Sequence, residues 1–159
     1  MKKLIYDGDN IGGLHYVYAI AADAYEGVTL DYSTGVNSLT LDSDDNNIIC
    51  IPVYADESFN FTESHGRDEN GDFWSPNITG AIPCAAKNAE LIEELEMGEW
   101  VCVSVDHLGN ARVSGDSDTP LTFSTETNSG TMYADRNCAT FSMTGTLGQA
   151  SIVVELTII

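Results

Sequence analysis

Positive charge is what this 159-residue chain has least of: Lys and Arg together number 6 against 25 Asp and Glu, a formal net charge of −19. A protein that grips nucleic-acid phosphates or anionic lipid does so with a basic patch, and so few cations exclude that class of binder. Long apolar runs are missing as well, since no stretch approaches the ~20 residues of a membrane-spanning helix. The start, Met1-Lys2-Lys3-Leu4-Ile5-Tyr6-Asp7, follows two cations with a three-residue apolar patch, which is short of a signal-peptide core. The four cysteines, Cys50, Cys84, Cys102 and Cys138, form no C-x-x-C pair, so zinc-ribbon and dithiol redox motifs are excluded. Without a secretion signal they are expected to be reduced thiols. Histidine is scarce too: His15, His65 and His107 show no i, i+3 or i, i+4 pairing of the kind that builds a local metal site.

What is present is enough to fold. Hydrophobic residues make up 43% of the chain and aromatics 9%, so the acidity is not the low-hydrophobicity signature of disorder. Residues 1–80 carry 14 acids against three cations and residues 81–159 carry 11 against three. The charge has no break or tail, and the chain reads as a single β-rich domain spanning residues 1–159.

Short apolar and β-branched runs separated by Gly, Asn, Asp and Ser clusters predict strands. They fall at Leu4–Asp7, Leu14–Ala21, Thr29–Tyr32, Ser38–Leu41, Ile48–Tyr54, Ser58–Glu63, Thr79–Ile82, Trp100–Asp106, Ala111–Val113, Leu121–Thr125, Ala139–Gly145 and Ser151–Ile158. Asp106–Asn110 reads as a hairpin loop between two of these runs, with Leu121–Thr125 as the next strand of that meander. The stretches Asp42–Asn47 and Thr62–Ser75 read as polar loops. Residues 151–159 are apolar on both faces over much of their length, which predicts burial in a sheet or against a neighbouring subunit. One segment has helical periodicity: Ala85–Met97 places Leu91, Ile92 and Leu95 on one face and Glu90, Glu93, Glu94 and Glu96 mostly opposite, with Gly98 as a stop. The predicted fold is mainly β, an antiparallel β-sandwich or barrel-like domain with one flanking helix over residues 85–97.

No catalytic or cofactor motif emerges. Asp42-Ser43-Asp44-Asp45-Asn46-Asn47 starts like a calcium loop, but Asn47 stands where Gly is needed and Val53 where the bidentate Glu is needed. Gly115-Asp116-Ser117 is not a nucleophile elbow, and Gly8–Gly13 lacks the spacing of a dinucleotide fingerprint. The chain is therefore expected not to be an enzyme and to need no cofactor or metal. Phe59, Phe61, Phe73 and Trp74 concentrate aromatics in one polar stretch, and aromatics are enriched at interface cores. That predicts intersubunit contacts made by the loops at residues 56–76.

From residue 52 onward a series of short motifs runs in a recognisable order. They are Pro52-Val53-Tyr54-Ala55-Asp56, Asn70-Gly71, Ile78-Thr79-Gly80-Ala81-Ile82-Pro83, Glu90-Leu91-Ile92-Glu93-Glu94-Leu95 and Gly98-Glu99-Trp100-Val101. Asp106-His107-Leu108-Gly109-Asn110-Ala111-Arg112-Val113-Ser114-Gly115, Pro120-Leu121-Thr122-Phe123, Asn128-Ser129-Gly130 and Asn137-Cys138-Ala139-Thr140-Phe141-Ser142-Met143-Thr144-Gly145 follow. The order resembles structural proteins of phages and prophages of Bacteroides-type gut bacteria, the crAss-like group included, which build neck, tail-barrel or tail-tube rings. The resemblance implies a tail-tube-like sandwich and a homo-oligomeric ring that contacts other virion structural proteins. It also implies a virion location, after assembly in the host bacterial cytoplasm, and carries no catalytic residues.

In such a ring the acidity would suit a passage through which DNA moves as cargo without being bound, and no membrane partner is expected. Asp42, Asp44 and Asp45, or Glu90, Glu93, Glu94 and Glu96, are the candidates for the lumen wall. The alternative is a glycan- or calcium-binding module, or a head-decoration protein, using the acidic loops at 42–47 and 68–72.

Overall fold

The computed structural model describes residues 2–3, 14–52, 59–83, 88–106, 109–128 and 138–159. The strand expected at Leu4–Asp7, the 53–58 segment, Cys84, the first residues of the expected helix and His107 lie outside them. The strands are β1 (Lys2–Lys3), β2 (Leu14–Ala21), β3 (Thr29–Asp31), β4 (Val36–Leu41), β5 (Ile48–Pro52), β6 (Asn60–Asp68) and β7 (Gly71–Pro83). Helix α1 (Ala89–Met97) comes next, then β8 (Glu99–Asp106), β9 (Ala111–Ser114), β10 (Leu121–Asn128), β11 (Cys138–Thr144) and β12 (Ile152–Ile158). The protein is mainly β with one helix, a sandwich-like arrangement, as the sequence pattern predicts.

Strand β8 is the node. One edge pairs with β2 along its length, while the other is shared between β9 at Cys102–Val105 and β10 at Glu99–Trp100. From that division one arm runs β9-β12-β4-β3 and the other β10-β11-β7-β6, with β5 and then β1 beyond β2. Two pairings depart from an all-antiparallel sandwich: β12 with β4 and β1 with β5 are parallel. Leu121–Thr125 does not continue the meander beyond β9 either, because β12 occupies that edge.

Strands alternate their side chains between faces, and β2, β5 and β8 bury both. Val17, Ala19, Ile49, Ile51, Trp100 and Cys102 enter a first core with Ile78, Leu121, Phe123, Phe141 and Met143 from the other arm. Their neighbours Tyr18, Ile20, Ile48, Cys50, Val101 and Val103 enter a second core with Leu39, Leu41, Ala111, Val113 and Val154. Two-sided burial is why Ile48-Ile49-Cys50-Ile51 and Val101-Cys102-Val103 read as unbroken apolar runs. Each fully buried aliphatic side chain there contributes roughly 1.5–3 kcal/mol. Cys50 and Cys102 are buried and Cys138 is half-buried, all three as thiols, and burial pushes the Cys102 thiol up to about 12.

Helix α1 begins at Ala89 and places Leu95 wholly in the first core, with Leu91 and Ile92 partly buried against it. Trp100 Nε1 donates to the Leu95 carbonyl at 2.8 Å, tying the helix end to β8. Gly98 stops the helix at φ −92°, so close approach explains the glycine: a Cβ there would lie 2.6 Å from the Trp100 ring.

The largest correction is the stretch Thr62–Ser75. It is a long antiparallel hairpin of β6 and β7, in register from Asn60–Thr79 to Asp68–Gly71. Glu69-Asn70 makes the turn, Asp68 Oδ1 accepts from Asn70 N at 2.7 Å, and Gly71 takes φ 122°. The C-terminal segment is also less buried than its composition predicts. β12 is hydrogen-bonded to both β9 and β4, but only Val154 is buried, while Val153 is 52% and Ile159 68% exposed.

Candidate functional site

The four aromatics expected at an interface are divided by the fold. Phe59 is buried in the first core, its ring 5.5 Å from that of Phe141, and is taken up inside the chain. Phe61, His65 and Trp74 share one face of the β6–β7 hairpin, and Phe73 lies on the opposite face across Gly66. The Arg112 guanidinium sits 5.7 Å from the Phe61 ring centroid, and the His65 and Trp74 rings are 5.0 Å apart. Near the tip Arg67 grips Asp72 with two hydrogen bonds of 2.6 and 2.9 Å, and His65 Nε2 lies 3.2 Å from Asp72 Oδ1. Those contacts, the Arg67 guanidinium first, hold the Asp72 carboxyl below its ordinary range.

Glu63, which the sequence pattern did not single out, anchors this hairpin. Its Oε1 accepts from Ser151 N at 2.9 Å and Ser151 Oγ at 2.5 Å, and Ser151 Oγ is 2.7 Å from buried Ser114 Oγ. No local motif signals a contact spanning 88 residues of sequence.

The hairpin also presents a strand edge. Among the described residues β6 pairs with β7 alone, and β3, at the other end of the strand path, pairs with β4 alone. Trp74 exchanges both backbone hydrogen bonds with Leu147 on the far side of β7, at 2.9 and 2.8 Å. Its cross-strand pair with His65 is therefore the non-hydrogen-bonded kind, and the His65 N–H and C=O face away from β7.

The acidic candidates fall into two places. Glu90, Glu93 and Glu94 line one shallow surface depression with Met97 and Trp100, whereas Glu96 turns to β10 and accepts from Thr125 Oγ1. In the Asp42–Asn47 turn, Asp42 Oδ1 accepts from Asp44 N and Asp45 Oδ1 from Asn47 N, both at 2.8 Å. These carboxylates hold their own backbone in turns, and Asp44 is exposed. Among the described residues no group of three or more His, Cys, Asp or Glu is placed to hold a metal ion, and no helix is long and apolar enough to cross a membrane.

Asp42 and Asp45 do border a cleft of about 490 Å³ where β4 faces β2, β5 and the Tyr25–Gly27 segment. Its floor is Ile20, Leu39, Leu41 and Ile48 from the second core, and Glu26 completes the acidic rim. Burial, then the Asp116 charge, raises the Tyr25 phenol, so Tyr25 lines the cleft as a neutral hydroxyl. Asp116 itself is pushed up by burial and more strongly down by hydrogen bonds from Thr119 and Asp118, which commits it to its own loop. The turn after β3 is held likewise: Asp31 accepts from Ser33 Oγ, Ser33 N and Thr34 Oγ1 at 2.7–2.9 Å, lowering its carboxyl to about 2.

Comparison with protein-family models, curated proteins and solved structures finds no match to this chain.

Proposed function

We propose that the chain is a non-enzymatic structural subunit that assembles with copies of itself into a closed ring, in the neck or tail of a phage particle. The observation that carries this reading is the pair of strand edges, β6 and β3, left without a strand partner among the described residues at opposite ends of one sheet path. Joining β6 of one copy to β3 of the next is a head-to-tail contact, and head-to-tail contacts close into rings when the rotation permits. An edge of nine residues such as β6 is otherwise a template for uncontrolled pairing. The motif order that resembles phage ring proteins, and a mainly-β chain with one flanking helix, support the same assignment.

The charge suits that role. Each added copy multiplies the −19, so the edge contacts must outweigh self-repulsion, with cations or basic neighbouring virion proteins offsetting the rest. Glu90, Glu93 and Glu94, which share one surface, form the proposed lumen wall. Its repulsion of phosphates reaches about 8–10 Å at physiological salt, so DNA passes without sticking. Negative-stain microscopy of the purified chain should give closed rings, and gel-shift titration should give no retention of duplex DNA. Single subunits in every field, or salt-sensitive DNA binding, would overturn the reading.

A further inference from the structure

The cleft beside β4 has a property that the ring reading does not use. Strand β3 pairs with Val36–Ser38 only, because the chain leading into it turns away at Gly27, where φ is 95°. The other edge of β4 is taken by β12 from Ser38 to Leu41. Among the described residues, the Leu39–Leu41 edge facing the cleft therefore has no strand partner. It presents the Thr40 N–H and C=O, because the Leu41 C=O accepts from Ile159 N on the β12 side and backbone groups alternate along a strand.

We propose that this cleft is a docking groove for an extended segment of another protein, one that carries Lys or Arg and adds as a strand to the Leu39–Leu41 edge. Strand addition draws its affinity from main-chain hydrogen bonds and its specificity from alternate side chains. The Thr40 N–H and C=O fix one hydrogen-bonded pair, and Leu39 and Leu41 beside it, at about 3.4 Å per residue, give a register for three residues of partner. The apolar floor takes the side chains that point inward. Glu26, Asp42 and Asp45 meet those that point outward, and among the described residues no Lys or Arg lines the groove. Charge selects the occupant: a second copy brings another −19, whereas a cationic segment relieves the repulsion at the rim. The groove does not depend on the ring, since all of its lining residues belong to one subunit.

The test is fluorescence anisotropy with a labelled hexapeptide of alternating lysine and valine. Three arms separate strand addition from general attraction to an acidic protein. The combined variant Glu26→Gln/Asp42→Asn/Asp45→Asn, in which Asn keeps the turn-holding acceptors, should weaken binding about tenfold or more, whereas Glu90→Gln/Glu93→Gln/Glu94→Gln, with the same change in charge, should weaken it less than about twofold. On the unaltered protein, the same peptide with N-methylated backbone amides should lose most of its affinity, and peptide binding should slow amide exchange at Thr40. Equal losses in the two triple variants, full affinity of the N-methylated peptide, or no binding would each overturn the proposal. Concentration-dependent protection of Thr40 without peptide would do so too, by assigning the groove to a second copy.

Discussion

Two regions of this molecule are built from antiparallel strand pairs and held by different forces. Strands β2, β5 and β8 lie between two cores, and from Val17 to Ile20 and Val101 to Val103 every side chain is less than a tenth exposed. The β6–β7 hairpin buries Phe59 and Ile78 near its base, and toward the tip it relies on the Arg67–Asp72 grip, the His65–Trp74 contact and the Glu63–Ser151 anchor. Burial resists perturbation residue by residue. Cross-strand pairs at a wet edge hold a register while leaving the edge available. The centre of the sheet thus supplies stability, and the hairpin supplies a surface that can be completed by another chain.

The sharpest way to break that comparison is to truncate a buried residue of the centre. Ile49→Ala in β5 removes a fully buried side chain, and the lost transfer energy plus the cavity should cost about 2–5 kcal/mol in urea denaturation. Gly98→Ala tests the packing at the helix end. Its methyl group must displace the Trp100 ring, and overpacking of this kind costs roughly 1–3 kcal/mol.

Acid should act on the surface turns before it acts on the cores. The Asp31 carboxyl is lowered in the folded state to about 2 by the Ser33 and Thr34 hydrogen bonds. A depressed folded value means that its contribution is present above the ordinary carboxylate range near 4 and is lost as pH falls towards 2. Amide exchange at Ser33–Val36 should accelerate over that window, while exchange in β2 and β8 stays slow. Simultaneous loosening of both regions would contradict the division. Asp72→Asn at the hairpin tip should have the smallest effect, a urea midpoint within error of the original, because exposed ion pairs contribute little.

The sequence was most legible where burial is two-sided. Leu14–Ala21 coincides with β2 end to end, and Trp100–Asp106 lacks only Glu99 of β8, because continuous β-branched and apolar runs leave few alternatives. Leu91, Ile92 and Leu95 were also readable, since a 3.6-residue period over three turns is hard to mistake. The hairpin was hidden by its own chemistry. Glu63, His65, Arg67 and Asp72 look like loop residues, so the turn signal at Asn70-Gly71 reads as part of a polar loop and not as the tip of two paired strands. The candidate interface suffered for the same reason: Phe59, just before β6, is in the first core, and Phe61, two residues on, is partly buried against that core with Arg112 over its ring. The open edge at Thr40 had no sequence signal, because it arises from where β3 begins.

The central claim, that the edge of β6 joins copies into a ring, is tested most directly by the mass in solution of three proteins measured by light scattering. The unaltered chain and His65→Ala should both form an assembly of fixed copy number across micromolar concentrations. His65→Pro, which removes the N–H facing the open edge, should fall to the 17.1 kDa monomer. A 17.1 kDa unaltered chain, or the same assembly in all three proteins, would contradict the account.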